Sequence, residues 1–183
     1  MALRLAARQA LRAIPRNNAR CLSSLSETLY TAHTTSKGSR ASGTLESSNL
    51  HLKAQMPKEL GGAGTTQEGV TDPEQLFGLA YGTCFLSALG ATQGNLFKDK
   101  KPLPKDTTVH ANVHIGKDAD GAPGFRLAVE LEVLKEPLAK AGLNDAEMDK
   151  LVKAAHELCP YSRATKGNIV CRSHCCELKR QAC

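Results

Sequence analysis

Apolar residues are most concentrated between residues 71 and 89, in the stretch TDPEQLFGLAYGTCFLSAL. Asp72 is a favourable helix N-cap, and Gln75 stands at the spacing of a capping box, so the pattern predicts a helix that begins here. No ionised residue occurs between Glu74 and Lys98. Apolar residues cover every side of this helix, and such a helix is expected to be buried. Because small and polar residues interrupt the run before the roughly 20 apolar residues of a membrane span, we expect a buried central helix and no membrane span.

Alternation of apolar and polar residues predicts strands on both sides of this helix. The clearest strands are residues 50–56, 108–115 and 125–133, in which every second side chain is apolar. The last two are joined by a loop with Asp-Gly and Pro-Gly pairs, which indicates a hairpin. Weaker patterns suggest a first strand at 28–35 and a short last strand at 168–171.

A second helix is predicted at residues 144–158, where Asn144 is the N-cap and Glu147 occupies the third position of a capping box. Cys159 follows, and Pro160 after it disfavours helical geometry at the preceding residue. Cys159 is therefore expected to end the helix, on the side that faces the core.

Two segments that flank these strands are expected to be loops. Residues 36–43 form a polar loop, and residues 59–71 form a glycine-rich connector. No Gly-Lys-Ser/Thr follows these glycines, so a phosphate-binding loop is disfavoured.

The positive charge of the chain is concentrated at its N-terminus. The 183-residue chain has a net charge of +6. Residues 1–26 contain no acidic residue and five arginines at every fourth position: Arg4, Arg8, Arg12, Arg16 and Arg20. Subtracting these five positive charges from the net charge of +6 leaves +1 for the rest of the chain, which is therefore nearly neutral. Nucleic acid is therefore not an expected partner, since no basic face remains to contact phosphates.

An arginine-rich, amphipathic start without acids is typical of a mitochondrial transit peptide. We therefore predict a mitochondrial matrix protein in which residues 1–26 are the transit peptide; a disordered basic arm is the alternative. A single domain is expected at 27–172 and a cysteine-rich tail at 173–183. Seven cysteines are present, and in a reducing matrix they are not expected to form a structural disulfide framework.

No metal site is predicted. His110 and His114 would lie about 13 Å apart on one strand, too far to share an ion. The C-terminal residues Cys171, His174, Cys175, Cys176 and Cys183 have spacings that match no common zinc pattern. Exposed, oxidisable thiols are the expected interpretation of these cysteines.

Three segments of the chain form a recognisable set: DPEQLF at 72–77, YGTCF at 81–85 and HELCPYSRAT at 156–165. In this order they resemble the organic hydroperoxide resistance (Ohr) proteins of the OsmC/Ohr superfamily. Shorter similarities occur in KELGG at 58–62 and LAVEL at 127–131. The tyrosine after Cys-Pro favours the Ohr branch over the OsmC branch.

This resemblance implies an α+β fold in which antiparallel sheets wrap around central helices of an intertwined homodimer. It also implies a thiol peroxidase in which Cys84 attacks an organic hydroperoxide and becomes a sulfenic acid. Cys159 would then condense with Cys84 to a disulfide. In this family the disulfide is reduced by dihydrolipoamide or lipoylated proteins, and no cofactor is expected to stay bound.

The resemblance also assigns Arg40 and Glu74 to the site. A buried thiolate at Cys84 needs a nearby cation, and Glu74 would hold the Arg40 guanidinium in a bidentate pair. Lys37 is the other cation of that loop, and an ordinary salt bridge is the alternative interpretation. Glu74 and Cys84 are about 15 Å apart on a straight helix, so a compact cluster needs the reach of arginine or a second chain.

Two further interpretations concern substrate and activity. The apolar neighbours Phe77, Tyr81 and Phe85 favour alkyl or fatty-acid hydroperoxides over hydrogen peroxide. From the residues alone, two ordinary buried cysteines are an open alternative. A non-enzymatic OsmC-like redox sensor or binding protein, which uses Cys84 once without turnover, is the alternative of a different functional class.

Overall fold

The structure, a computed structural model, describes residues 25–177. Residues 25–33 belong to one compact unit, contain no helix or strand and are exposed. The second unit begins at residue 34 and holds all the helices and strands of the described residues. The predicted transit peptide lies almost wholly outside the described residues, and so does Cys183.

Within residues 25–177, seven strands and four helices follow one another in an α+β order, which confirms the predicted fold class. In chain order they are β1 (Thr35–Ser39), β2 (Ser42–Ser47), β3 (Leu50–Ala54), β4 (Val70–Thr71), α1 (Pro73–Leu96), β5 (Val109–Lys117), β6 (Phe125–Leu134), α2 (Lys135–Lys140), α3 (Asp145–Leu158), α4 (Pro160–Thr165) and β7 (Val170–Cys176). A short 3-10 turn at Lys58–Leu60 precedes β4.

The first sheet has the strand order β1-β2-β3-β4. Strands β1 and β2 form an antiparallel hairpin with Arg40 and Ala41 at its tip. The prediction of a loop at residues 36–43 is therefore wrong, as is that of a strand at 28–35, of which only Thr35 belongs to a strand. All five residues of β1 are exposed, so this strand has no alternation of apolar and polar residues from which it could have been predicted.

The second sheet has the order β5-β6-β7. The predicted hairpin between β5 and β6 is confirmed, and Val109 lies opposite Val133 in its antiparallel register. Strand β7 runs parallel to β6 and continues to Cys176. The domain boundary predicted after residue 172 thus falls inside β7. The sequence pattern did not show the full strand because cysteine and serine, rather than clearly apolar residues, alternate along it.

Helix α1 begins as predicted, since Oδ1 of Asp72 accepts a hydrogen bond from the backbone N–H of Gln75 at 2.7 Å. It continues to Leu96, beyond the apolar stretch at residues 71–89. One side of it is fully buried at Tyr81, Phe85 and Leu89, but Leu79 on another side is 70% exposed. The expectation of a helix buried all round is therefore wrong for the single chain.

Helix α1 packs on the inner face of the second sheet. A Cβ added at Gly78 would lie 3.3 Å from the carbonyl oxygen of Ala111, so a glycine at this position allows α1 and β5 to approach closely. Among the described residues, no helix combines the length and apolarity that a membrane span requires.

Helix α3 covers the same core, with a buried stripe of Met148, Leu151, Val152 and Ala155. Its predicted capping box is complete, as Asn144 and Glu147 exchange side-chain to backbone hydrogen bonds of 3.0 and 2.9 Å. The sequence interpretation missed α2 and α4. Each has six residues, which is too few for a helical periodicity to stand out.

Candidate active site

The structure brings Cys84 and Cys159 into contact. Cys84 lies in the middle of α1, and Cys159 is the single residue between α3 and α4. Their sulfur atoms are 3.5 Å apart, with both cysteines in the free thiol form. Cys159 is fully buried, whereas Cys84 is half-buried. A disulfide bond of about 2.05 Å therefore requires the two sulfurs to approach by about 1.5 Å.

The pKa of Cys84 is raised above its ordinary value, mainly by burial, because burial disfavours the charged thiolate. The backbone N–H of Tyr161 donates a hydrogen bond to the sulfur and lowers this pKa, while the neighbouring Cys159 thiol raises it again. No cation within the described residues of the single chain contributes to the pKa of Cys84.

Arg40 and Glu74 form the predicted ion pair. Nη2 of Arg40 donates to both carboxylate oxygens of Glu74, at 2.7 and 2.6 Å. The pair is bidentate at the carboxylate but uses one guanidinium nitrogen rather than two. Nε of Arg40 is buried without a hydrogen-bond partner. Lys37 lies on exposed strand β1, and no ion pair is found for it among the described residues.

These residues form two pairs rather than one cluster within the chain. Glu74 precedes Cys84 by ten residues of continuous helix, which places their backbones about 15 Å apart. In the described part of the chain, Arg40 makes no hydrogen bond to Cys84. The structure therefore places the thiol pair and the ion pair separately.

Three aromatic side chains pack together beside the thiol pair. The ring centroids of Phe77, Tyr81 and Tyr161 are 5.7 to 6.1 Å apart. Tyr161 is 36% exposed and follows Cys159 by two residues. Tyr81 is fully buried, so Phe77 and Tyr161 are the members of this cluster on which an alkyl group could pack.

A buried hydrogen-bond network lies behind Cys159, and the sequence interpretation assigned it no role. The Tyr81 hydroxyl donates to Oγ of Ser162 at 3.1 Å and lies 3.3 Å from Sγ of Cys171. His156 contacts Ser162 through Nδ1 at 2.8 Å and Ser173 through Nε2 at 2.7 Å. His156 and Ser162 stand three residues before and three residues after Cys159 in the motif HELCPYSRAT. This symmetric spacing was the signal from which the network could have been predicted.

Burial within this network shifts two pKa values. It raises the pKa of Tyr81 to about 12, and it lowers the pKa of His156 below its ordinary value. Both shifts favour the neutral form, so the network is held together by hydrogen bonds between uncharged groups.

The C-terminal cysteines and histidine divide between the two faces of β7. Cys171 and Cys175 are half-buried on the inner face, and burial raises the pKa of Cys175 to about 11. His174 lies on the outer face, where its ring nitrogens are 3.9 and 3.7 Å from carboxylate oxygens of Glu130 and Glu132. His110 and His114 are exposed on β5, as expected for surface histidines.

A two-sheet α+β fold that holds two free thiols in contact, one on its long helix and one at a helix junction, defines a cysteine-based redox protein. The family model described as OsmC-like protein matches residues 65–174. The chain therefore belongs to the OsmC-like family, which confirms the superfamily inferred from the motifs.

The relatives place the chain beside the Ohr proteins. It is 40% identical over 149 residues to the organic hydroperoxide resistance protein of Xanthomonas axonopodis pv. citri (strain 306), which covers 81% of this chain and 95% of that protein. It is 37% identical over 150 residues to OhrA of Bacillus subtilis (strain 168), covering 79% and 94%. The crystal structure of OhrB of Bacillus subtilis matches with a TM-score of 0.66 and 35% identity, over 81% of this chain and all of that chain.

Proposed function

We propose that this protein is a thiol peroxidase that reduces organic hydroperoxides to alcohols, with Cys84 as the peroxidatic and Cys159 as the resolving residue. The observation that carries the proposal is the 3.5 Å separation of the two sulfurs, which are 75 residues apart in the chain. That separation is within the distance at which reacting atoms are poised to react. The relatives named for organic hydroperoxide resistance support the same role.

The proposed reaction has two steps on the protein. The Cys84 thiolate attacks the hydroperoxide, so an S–O bond forms, the O–O bond breaks, and the alcohol leaves after taking up a proton. Cys159 then attacks the sulfenic acid at Cys84, which forms the S–S bond and releases the hydroxyl group as water with the Cys159 proton. A dithiol of the dihydrolipoamide class, free or on a lipoylated protein, reduces the disulfide by thiol–disulfide exchange.

The proposed active form is a homodimer in which the Arg40–Glu74 pair of one copy faces Cys84 of the other. The pKa of Cys84 is raised in the single chain, so a reactive thiolate needs a cation from elsewhere. Arg40 has a buried Nε without a partner, which an anionic sulfur would satisfy.

A groove along α1 provides the surface for the second copy. It has a volume of about 910 Å³ and lies between the exposed side of α1 and strand β5. Glu74, Leu79 and Thr83 line it. Strand β5 has only β6 beside it in the described sheet, so its other edge presents unpaired backbone groups that a second copy could cover.

The partly exposed rings of Phe77 and Tyr161 favour alkyl or fatty-acid hydroperoxides over hydrogen peroxide, because they offer apolar surface beside Cys84. We further propose a mitochondrial matrix location, on the basis of the acid-free, arginine-rich residues 1–26. Lipoylated 2-oxoacid dehydrogenases in that compartment would supply the reductant.

Turnover of an alkyl hydroperoxide with dihydrolipoamide tests the proposal in wild type, Cys84→Ser and Cys159→Ser. We expect both variants to lose turnover, while Cys159→Ser retains one rapid oxidation of Cys84. The ratio of kcat/KM for an alkyl hydroperoxide and for hydrogen peroxide tests the substrate class. One stoichiometric oxidation of wild type without turnover would indicate a redox sensor, and equal turnover in all three proteins would refute the site.

A further inference from the structure

The resolving residue Cys159 lies between two residues that are hydrogen-bonded to each other. His156 is three residues before it on α3, and Ser162 is three residues after it on α4. Nδ1 of His156 and Oγ of Ser162 are 2.8 Å apart, which closes the chain around Cys159 and Pro160. We call this hydrogen bond, with the residues 156–162 that it encloses, the clamp.

The clamp is anchored to two elements of the core, β7 and α1. Nε2 of His156 contacts Oγ of Ser173 on β7 at 2.7 Å. Ser162 is 7% exposed and accepts a hydrogen bond from the Tyr81 hydroxyl at 3.1 Å. Tyr81 is on α1, one helical turn before Cys84. The clamp therefore ties the segment that carries Cys159 directly to the helix that carries Cys84.

Cys159 itself is the one place in this segment where the backbone leaves helical geometry. Its φ and ψ are −66° and 120°, so it ends α3 and caps α4 without belonging to either helix. A rotation there could carry its sulfur through the approach of about 1.5 Å that disulfide formation needs. The flanking hydrogen bond limits how far the rest of the segment moves.

We propose that His156 and Ser162 are positioning residues that hold Cys159 for its attack on the Cys84 sulfenic acid. This inference depends on the proposed peroxidase function and concerns its second step. In that step the Cys159–Cys84 S–S bond forms, the S–O bond of the sulfenic acid breaks, and water leaves with the Cys159 proton. Neither His156 nor Ser162 exchanges a bond in it.

Loss of the clamp should change the fate of the sulfenic acid. Misplacing a reacting group by 1 Å costs on the order of 100-fold in rate. A sulfenic acid that waits for Cys159 is exposed to a second hydroperoxide, which oxidises it to sulfinic acid. Slower resolution should therefore appear as over-oxidation of Cys84.

The chain offers a matched control on the surface. Lys166 and Glu157 join the end of α4 to α3 by an ion pair of 3.3 Å, and their side chains are 70% and 73% exposed. This pair spans the same two helices as the clamp, but an exposed ion pair contributes little to stability or geometry. Lys166→Ala therefore removes a link between α3 and α4 without affecting the buried network.

Substitutions at His156 separate the two hydrogen bonds of its ring. The amide of asparagine lies close to the position of Nδ1, so His156→Asn retains a partner for Ser162. The amide of glutamine lies close to Nε2, so His156→Gln retains the contact with Ser173 and loses the clamp. Ser162→Ala removes the clamp from the other side.

Rapid mixing with an alkyl hydroperoxide measures the two steps as successive phases, namely oxidation of Cys84 and disulfide formation. We expect Ser162→Ala and His156→Gln to slow the second phase at least about tenfold more than the first. Intact-mass measurement with excess hydroperoxide should show sulfinic acid at Cys84 in these two variants. Wild type, Lys166→Ala and His156→Asn should form the disulfide with little over-oxidation.

Circular dichroism and the thermal midpoint establish which variants are folded. If Ser162→Ala does not fold, the comparison of His156→Gln with His156→Asn tests the proposal. Disulfide formation at the wild-type rate in folded His156→Gln would overturn the proposal. Equal slowing of both phases would also overturn it, since that indicates a general structural role. If wild type forms no disulfide with hydroperoxide, the proposed function fails, which is a distinct result.

Discussion

A heterodimer with Cys84→Ser in one copy and Arg40→Ala in the other tests whether the thiol pair and the ion pair of a site come from different chains. Within one chain Glu74 and Cys84 are about 15 Å apart along α1, and Arg40 is held at Glu74 by hydrogen bonds of 2.7 and 2.6 Å. If Arg40 acts on the other copy's Cys84, this heterodimer contains one complete site and one site that lacks both residues.

The expected activity follows from the symmetry of the proposed dimer. The Cys84→Ser homodimer has no nucleophile, and the Arg40→Ala homodimer should lose at least about tenfold in rate because its thiolate has lost an opposite charge. The heterodimer should recover about half of the wild-type rate per dimer, since one of two equivalent sites is intact. Co-expression with two different affinity tags isolates it, and consumption of an alkyl hydroperoxide with dihydrolipoamide is the assay.

A heterodimer of wild type with Cys84→Ser is the control, and it should also give about half of the wild-type rate. A mixed Cys84→Ser and Arg40→Ala dimer with a rate no higher than that of the Arg40→Ala parent would place both pairs of the site in one chain. A protein that is monomeric by light scattering and still turns over would refute the dimeric site altogether.

Three predictions concern stability. Phe85 is fully buried against the His156 ring, so Phe85→Ala should lower the free energy of unfolding by about 3–5 kcal/mol in urea titrations; a loss under about 1 kcal/mol would contradict this packing. Asn144→Ala removes half of the capping box of α3 and should cost about 1 kcal/mol by the same measurement, and no loss would mean that the cap is inactive. Burial lowers the pKa of His156 in the folded protein, so the unfolded chain binds the proton first as the pH falls. The stability that a neutral His156 contributes is therefore present above about pH 6.5 and lost below it. Between pH 7.5 and 5.5, the thermal midpoint of His156→Asn should fall by less than that of wild type. An equal fall in both proteins would refute this.

The local signals in the sequence were sufficient for much of the architecture. Asp72 and Asn144 mark the starts of α1 and α3, because an N-cap acts on backbone groups two or three residues away. The alternation in β5 and β6 predicted the hairpin, because successive side chains of a strand point to opposite faces. Motifs around Cys84 and Cys159 indicated the family and its two cysteines.

Other elements had no such local signal. Strand β1 is exposed along its whole length, and β7 has cysteine and serine on its inner face, so neither shows a strong apolar pattern. These strands exist because a neighbouring strand satisfies their backbone hydrogen bonds. The six-residue helices α2 and α4 are similarly defined by what they pack against.

Within the site, the sequence determined which residue types are present, and the tertiary structure decided which of them meet. Cys84 and Cys159 come together only because α1 and α3 pack on one core, and His156 and Ser162 meet because the chain turns at Cys159. The Arg40–Glu74 pair depends on a hairpin that the sequence pattern did not show. Periodicity reports the environment of each residue along one element, whereas a contact between distant residues depends on how several elements pack together.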